Sequence, residues 1–264
     1  MDNSTSEVKE FLSLLEKKEK MVAMLAPSFP IVFEYPQIVG QLKRLGIVHV
    51  IEVSRGAAKT NCQLLDFRKK NRQKRLIASP CPVVVRMVRK KYPHLVQFLS
   101  PIDSPIVASA KIVKEKYPHH RPVFIGPCPV KKLEAKEDHP ELKIIVLTYK
   151  EIKEILLLKK IKNHPDDVLS GFDLVGSKTR LYPISGGLSQ SSNLNYHLSD
   201  EELDVVSGIK NVEQALDKFP TNRLKFLDIL FCEGGCINGL GIDSELSLDR
   251  RRAKIIAHWV KIAK

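Results

Sequence analysis

Near the start of the chain, apolar residues recur at helical spacing. Between Glu7 and Lys20, Val8, Phe11, Leu12, Leu14 and Leu15 stand among charges, which predicts a surface helix, an N-terminal helical extension over residues 1–20 that packs on the outside. The period then shortens. Met21–Ala26 reads as a short buried strand ended by Pro27, Gln37–Leu45 as a helix closed by Gly46, and the β-branched run Ile47–Val53 as a strand. A helix over Ala57–Lys70 runs into the basic tract Arg68–Arg75. Further apolar stretches at Leu76–Ala78, Val123–Ile125, Leu142–Leu147 and from Phe226 alternate with helical patterns through Arg89, over Ile106–Lys116, over Tyr149–Lys160 and from about Leu246 to Lys261. Strands alternating with helices throughout predict an α/β fold. From Asn163 to Asn195 the signal weakens, and Tyr182–Gly187 reads as a turn or loop.

Three of the strand ends carry cysteine. The tetrapeptide P-C-P-V occurs twice, at Pro80–Val83 and Pro127–Val130, each time where a strand runs out and a proline stands at a first helical position. At the third, F-L-D-I-L-F-C-E-G-G-C-I-N-G-L-G over Phe226–Gly241, a Gly-Gly turn separates Cys232 from Cys236. Glycine accepts positive φ and lets backbone approach a bulky inorganic group. Carboxyl ends of strands are also where open α/β sheets bind ligands, and a helix N-terminus there favours a thiolate. Cys81, Cys128, Cys232 and Cys236 therefore form one constellation. Cys62, within a helix and without a proline or glycine neighbour, reads as a core residue.

Composition narrows the classes. The chain has 264 residues, 43% hydrophobic, enough for a sizeable core in one large domain or two small ones. Five cysteines are too few for a disulfide scaffold. The N-terminus has no basic and apolar leader pattern and no apolar run approaches the roughly 18 residues of a spanning helix, so a cytoplasmic protein with no membrane partner is expected. Forty-three Lys and Arg against 30 Asp and Glu leave a net charge of +13, which favours an acidic partner. The Arg68–Arg75 tract lacks interleaved aromatics and reads as a solvated face, so nucleic acid is not the expected partner.

Four thiols so spaced have three readings. An iron–sulfur cluster suits ligands drawn from several strands; zinc more often takes paired knuckles from local turns; thiol redox chemistry or plain core cysteine is the third.

The cysteine segments resemble the signature segments of the catalytic domain of iron-only ([FeFe]) hydrogenases, T-S-C-C-P, M-P-C-x-x-K and E-x-M-x-C-x-x-G-C. Here they stand as Ala78–Pro82, Gly126–Lys131 and Asp228–Cys236, and Lys91-Tyr92-Pro93, Leu99-Ser100, Ser104-Pro105, Ser185-Gly186-Gly187 and Ile237-Asn238-Gly239 match the flanking text. The resemblance covers about residues 21 to 262. It implies a two-lobed hydrogenase catalytic-domain-like α/β fold of small, mainly parallel sheets with the cluster in the cleft, a single domain over 21–264 whose lobes run about 21–118 and 119–241 before a helix over 243–262. It assigns Cys81, Cys128, Cys232 and Cys236 to a [4Fe-4S] cluster, with Cys236 bridging to a diiron subsite where one is present, and Lys131, Ser104, Gly234 and Gly235 around it.

The departures from the family pattern bear on activity. Pro80 stands where the family has a proton-passing cysteine, Leu64 and Phe67 stand about where it has relay glutamates, and Asp228, Gly126 and Leu230 replace a glutamate and two methionines. Lys131, which in the family faces a diiron ligand, is retained, although a lysine at a helix start also reads as a solvated residue. No cysteine cluster precedes Cys81, so no ferredoxin-like N-terminal domain is expected. The expectation is a cluster-binding homologue for electron transfer or for redox or hydrogen sensing, without efficient hydrogen turnover. Its partner would be an acidic electron carrier such as a ferredoxin, or a redox subunit. The alternatives are a genuine hydrogenase with a divergent proton route, and a basic binding module stabilised by metal.

Overall fold

The computed structural model describes residues 5–262, so the ends of the expected spans, residues 1–4 and 263–264, lie outside the described residues. The chain begins α1 (Ser6–Glu16), β1 (Met21–Leu25), α2 (Gln37–Leu45), β2 (His49–Glu52) and α3 (Ser54–Lys70). It continues through β3 (Leu76–Ile77), α4 (Pro82–Lys91), α5 (Pro105–Lys116), β4 (Arg121–Gly126) and α6 (Lys131–Leu133), then β5 (Ile145–Thr148) and α7 (Tyr149–Leu158). The last third adds α8 (Gly187–Ser191), β6 (Leu203–Ser207), α9 (Ile209–Lys218), β7 (Phe226–Leu230) and α10 (Leu248–Ile262).

Every ladder is parallel. One sheet has the order β2-β1-β4-β5 and a second the order β3-β7-β6. The α/β class expected from the alternation is the class observed. β1, M-V-A-M-L, is buried at every position, the continuous apolar run that a sheet covered on both faces demands. α2 stops where Gly46, at φ 113°, turns its N–H back to the last carbonyls, and α7 starts on a capping box between Thr148 and Glu151.

Each sheet has its own apolar core. The first gathers β1, β2, β4 and β5 with α1, α2, α7 and Ile255 of α10; the second gathers β3 and β7 with Leu64 of α3, Val84 and Val88 of α4, and Val212 and Leu216 of α9. The helix at the N-terminus is consequently no appendage. Phe11 is fully buried in the first core, which stabilises the fold by about 1.5–3 kcal/mol.

The two lobes interleave in sequence, which corrects the expected division near residue 118. β3 lies before that point but pairs with β7, Leu76 opposite Phe226, while β4 and β5 lie after it and join β1. Parallel strands are joined by crossovers, and a crossover is free to pass through the other lobe. Three elements, α8, β6 and α9, have no counterpart among the sequence expectations. β6 is a half-exposed edge strand with little apolar contrast, and α9 buries only Val212 and Leu216.

A buried ion pair anchors the 178–181 turn and α10 to the end of β2. Glu52, the last residue of β2, accepts from Arg180 Nε at 2.7 and 3.0 Å, and His258 Nε2 of α10 lies 3.4 Å from the same carboxylate. Arg180 and Glu52 are both fully buried. Removing one partner of such a pair strands the other charge. Arg180→Ala should lower the unfolding free energy in urea by about 3 kcal/mol or more, and combining Arg180→Met with Glu52→Gln should lose less than the single change.

Candidate metal centre

The four thiols sit where strands of both sheets stop. β3 ends at Ile77, Ala78 N–H still donates to Leu227 O at 2.9 Å, and Ser79 Oγ donates to Ser100 O at 2.7 Å, so the chain reaches Cys81 on fixed backbone before Pro82 opens α4. β4 delivers Cys128 two residues after Gly126. β7 delivers Cys232, and the turn to Cys236 passes through Gly234 at φ 72° and Gly235 at φ 104°, the positive values the Gly-Gly pair predicts. A Cβ on Gly235 would lie 2.5 Å from Pro183 O.

The three segments are stitched to one another. Gly241 N–H donates to Pro127 O at 2.7 Å, tying the Cys236 loop to the Cys128 loop. Ser185 N–H donates to Gly234 O at 3.0 Å and Ile237 N–H to Pro183 O at 3.2 Å, so the weakly patterned Tyr182–Gly187 stretch forms the wall behind the Gly-Gly turn. Lys131 closes the remaining gap. Only 9% exposed, its ammonium donates to Pro80 O at 2.9 Å, pairs with Glu134 at 2.5 Å and approaches Ser104 Oγ at 3.4 Å. The solvated alternative for Lys131 does not hold. The short helix it opens widens into a π-turn over Glu134–Asp138, which brings Glu134 under the ammonium.

The thiols feel one another. Burial pushes Cys232 up to about 11, with the charges of Cys81 and Cys128 adding to the rise. Burial also pushes Cys236 well above the ordinary thiol range, reinforced by the other three, and raises Cys128, where Lys131 opposes the shift. Mutual influence of this kind requires all four to share one low-dielectric region. Cys62 does not join them. It is exposed on α3, whose buried stripe runs through Ala57, Thr60, Asn61 and Leu64, so the core reading of Cys62 is corrected. In the basic tract, Arg68 and Arg75 are tied to main-chain carbonyls of residues 219–225 at the opposite ends of β3 and β7.

The family described as "Iron only hydrogenase large subunit, C-terminal domain" matches residues 19–240. The chain belongs to this family. It is 24% identical over 188 residues to the cytosolic Fe-S cluster assembly factor NAR1 of Encephalitozoon cuniculi, covering 63% of this chain and 51% of that protein. It is 24% identical over 271 residues to the probable cytosolic Fe-S cluster assembly factor oxy-4 of Caenorhabditis elegans (81% of this chain, 59% of that protein), and 22% identical over 257 residues to iron hydrogenase 1 of Clostridium pasteurianum (76% and 44%). The chain thus spans about half the length of the curated relatives it matches. In fold it is similar to [FeFe]-hydrogenase HydA1 from Chlamydomonas reinhardtii, with a TM-score of 0.71 over 95% of this chain and 88% of that one at 19% identity.

In this hydrogenase-like chain a cavity of about 700 Å³, counted with its open mouth, lies against Cys128 and Cys236. Its walls are mostly apolar, and Phe124 forms one of them. Strand alternation puts Phe124 and Gly126 on the same face, and a Cβ on Gly126 would lie 2.3 Å from the Phe124 ring, so the ring fills space that a side chain at 126 would otherwise take. Tyr182, whose hydroxyl donates to Asn61 Oδ1 at 2.8 Å, and Phe124 are site residues that sequence reading missed; the alternation of V-F-I-G was the available signal for Phe124. Among the described residues lining the cavity, Asp228 is the one carboxylate. It accepts from Ser189 N–H at 3.0 Å and Ser189 Oγ at 2.7 Å, yet burial outweighs these bonds and raises its pKa.

A carboxyl whose folded pKa is raised binds its proton more tightly in the folded state than in the unfolded one. Its contribution therefore falls as pH rises above the unfolded value near 3.9. Asp228→Asn, which keeps an acceptor for Ser189, should remove that part of the decline. The gap between variant and parent urea midpoints should widen from pH 4 to pH 7.

Proposed function

We propose that this chain is an iron–sulfur protein that holds one [4Fe-4S] cluster on Cys81, Cys128, Cys232 and Cys236 and uses it for electron transfer or redox sensing, without efficient hydrogen turnover. The donor set supports the cluster. Four thiols from three loops lie near enough for their charges to act on one another, and ligands drawn from several strand ends suit a cluster better than the paired knuckles of structural zinc. Such a cluster supplies one-electron chemistry. The chain's own residues set the conditions: Gly234 and Gly235 keep side chains out of the turn, Lys131 adds positive charge behind Cys128, and the apolar walls exclude water.

One observation carries the non-catalytic part of the reading. Pro80 stands at the cavity wall with no ionisable proton, and its carbonyl is occupied by Lys131. Proton delivery by a positioned donor typically contributes 10²–10⁴-fold to rate, and the cavity's one carboxylate, Asp228, is locked on Ser189. The names of two relatives as cytosolic Fe-S cluster assembly factors favour a role in iron–sulfur cluster supply in the cytosol. No helix among the described residues is long and apolar enough to cross a membrane. The electron donor we propose is an acidic carrier such as a ferredoxin, steered by the net charge of +13.

The second reading is a genuine hydrogenase with a divergent proton route. It is favoured by the burial of Lys131 at the cavity wall, the place from which a diiron ligand would be met.

Iron and sulfide analysis of anaerobically purified protein should give about four of each per chain. Serine at Cys81, Cys128, Cys232 or Cys236 should lose most of the iron, while Cys62→Ser should keep it. Retention by Cys128→Ser with loss by Cys62→Ser would overturn the ligand set.

After anaerobic treatment with a synthetic diiron precursor, hydrogen evolution from a reduced dye should stay very slow, and infrared bands of bound CO and CN should be absent. Pro80→Cys should restore little, since Leu64 and Phe67 supply no carboxylate behind it. Rapid turnover by the unmodified protein would establish the second reading instead.

A further inference from the structure

The Arg68–Arg75 tract and the 218–225 turn come together as one basic ledge at the amino ends of β3 and β7. Arg75 is the fastener: its guanidinium donates to the carbonyls of Phe219, Pro220 and Leu224 and to Asn222 Oδ1, and it stacks 4.2 Å over the Phe219 ring. Arg68 likewise donates to Lys225 O and lies over Phe226. With the two arginines turned inward, Lys69, Lys70, Arg72, Lys74, Lys218 and Arg223 are left exposed around them, and among the described residues none of the six is ion-paired to a carboxylate.

Position separates this ledge from the thiols. A strand rises about 3.3 Å per residue, so the run from Phe226 to Cys232 puts the ledge roughly 20 Å from the metal centre. That is the wrong end of the small sheet for exchanging electrons with a cluster, so charge has been concentrated where the site does not need it.

We propose that the ledge is a docking surface for an acidic segment of a partner protein, held as a tether while the face bearing the thiols stays free. Charge complementarity names the class of occupant. The choice of protein over nucleic acid follows from what the ledge lacks. The neighbouring rings Phe67, Phe219 and Phe226 are covered by Lys74, Arg75 and Arg68, so none is presented for base stacking.

The test uses a fluorescent 20-residue Glu/Asp-rich peptide and a random-sequence DNA duplex as probes, titrated into the cluster-loaded full chain at about 0.15 M salt. Lys69→Glu, Lys70→Glu, Arg72→Glu and Lys74→Glu together should weaken the peptide at least tenfold. The milder pair Lys70→Ala and Lys74→Ala should weaken it about threefold. Lys159→Glu, Lys160→Glu and Lys162→Glu, on the other lobe after α7, should change it less than twofold. Iron content and the reduction potential should be unaltered in every variant, so loss of binding would be separate from any failure of the cluster assignment. Equal losses from the two lysine sets would overturn the ledge in favour of diffuse charge. Duplex binding tighter than peptide binding and lost with the same residues would overturn the acidic-protein occupant.

Discussion

A single buried ammonium holds the two sheets in the relation that the metal centre needs. Lys131 belongs to the loop after β4 of the larger sheet, while Pro80, whose carbonyl it grips, belongs to the loop after β3 of the smaller one. An isolated ammonium at that depth would be costly, and Glu134 offsets the cost from three residues along the same widened turn. Ser104, at the start of α5, offers the third donor a partner, so all three N–H bonds are directed. The loops that carry Cys81 and Cys128 are thereby joined by a direct side-chain bridge.

Around that bridge the backbone does what side chains elsewhere would do. Gly239 and Gly241 lie so close to Pro127 O that a Cβ would approach within 2.6 and 2.9 Å, and Gly235 lies as close to Pro183 O. Main chain from three loops is thus in contact with main chain, and the thiols project from frames that tolerate little displacement. Such contact is possible only where glycine leaves out the Cβ, and glycines are the residues that separate Cys232 from Cys236 and follow it.

Much of this arrangement is legible in the order of the amino acids. The placement of each cysteine after a strand, Pro82 at the first position of α4 and the helix–strand alternation are local signals, set by neighbours in the chain; Pro129 departs from the expectation, since it lies in a turn and α6 starts only at Lys131. What is not legible is long-range. The interleaving of the lobes depends on which strand Leu76 pairs with, a choice made about 150 residues later at Phe226. Cys62 misleads because a cysteine within a helix is more often buried, whereas here the helix turns Asn61 and Leu64 inward and Cys62 outward. Lys131 is evenly balanced between solvent and site in the sequence because two of its three partners, Pro80 and Ser104, are far away along the chain, and only Glu134, at i+3, is within reach of a spacing rule.

The raised thiol pKa values and the apolar cavity are two sides of one environment. Burial that keeps Cys128, Cys232 and Cys236 protonated in the absence of metal also removes water that would compete for the same positions. Metal binding must displace those protons, so part of its free energy is spent on ionising the thiols and less remains to stabilise the fold. Lys131 lowers that cost at Cys128 and Cys236, the two thiols that also line the cavity, and it does so from a position where its own charge is already balanced by Glu134. Cys232 lacks that help: burial and the charges of Cys81 and Cys128 all act in the same, raising direction there. The site therefore divides into a cation-assisted side facing the cavity and a side at Cys232 where no cation opposes the effect of burial.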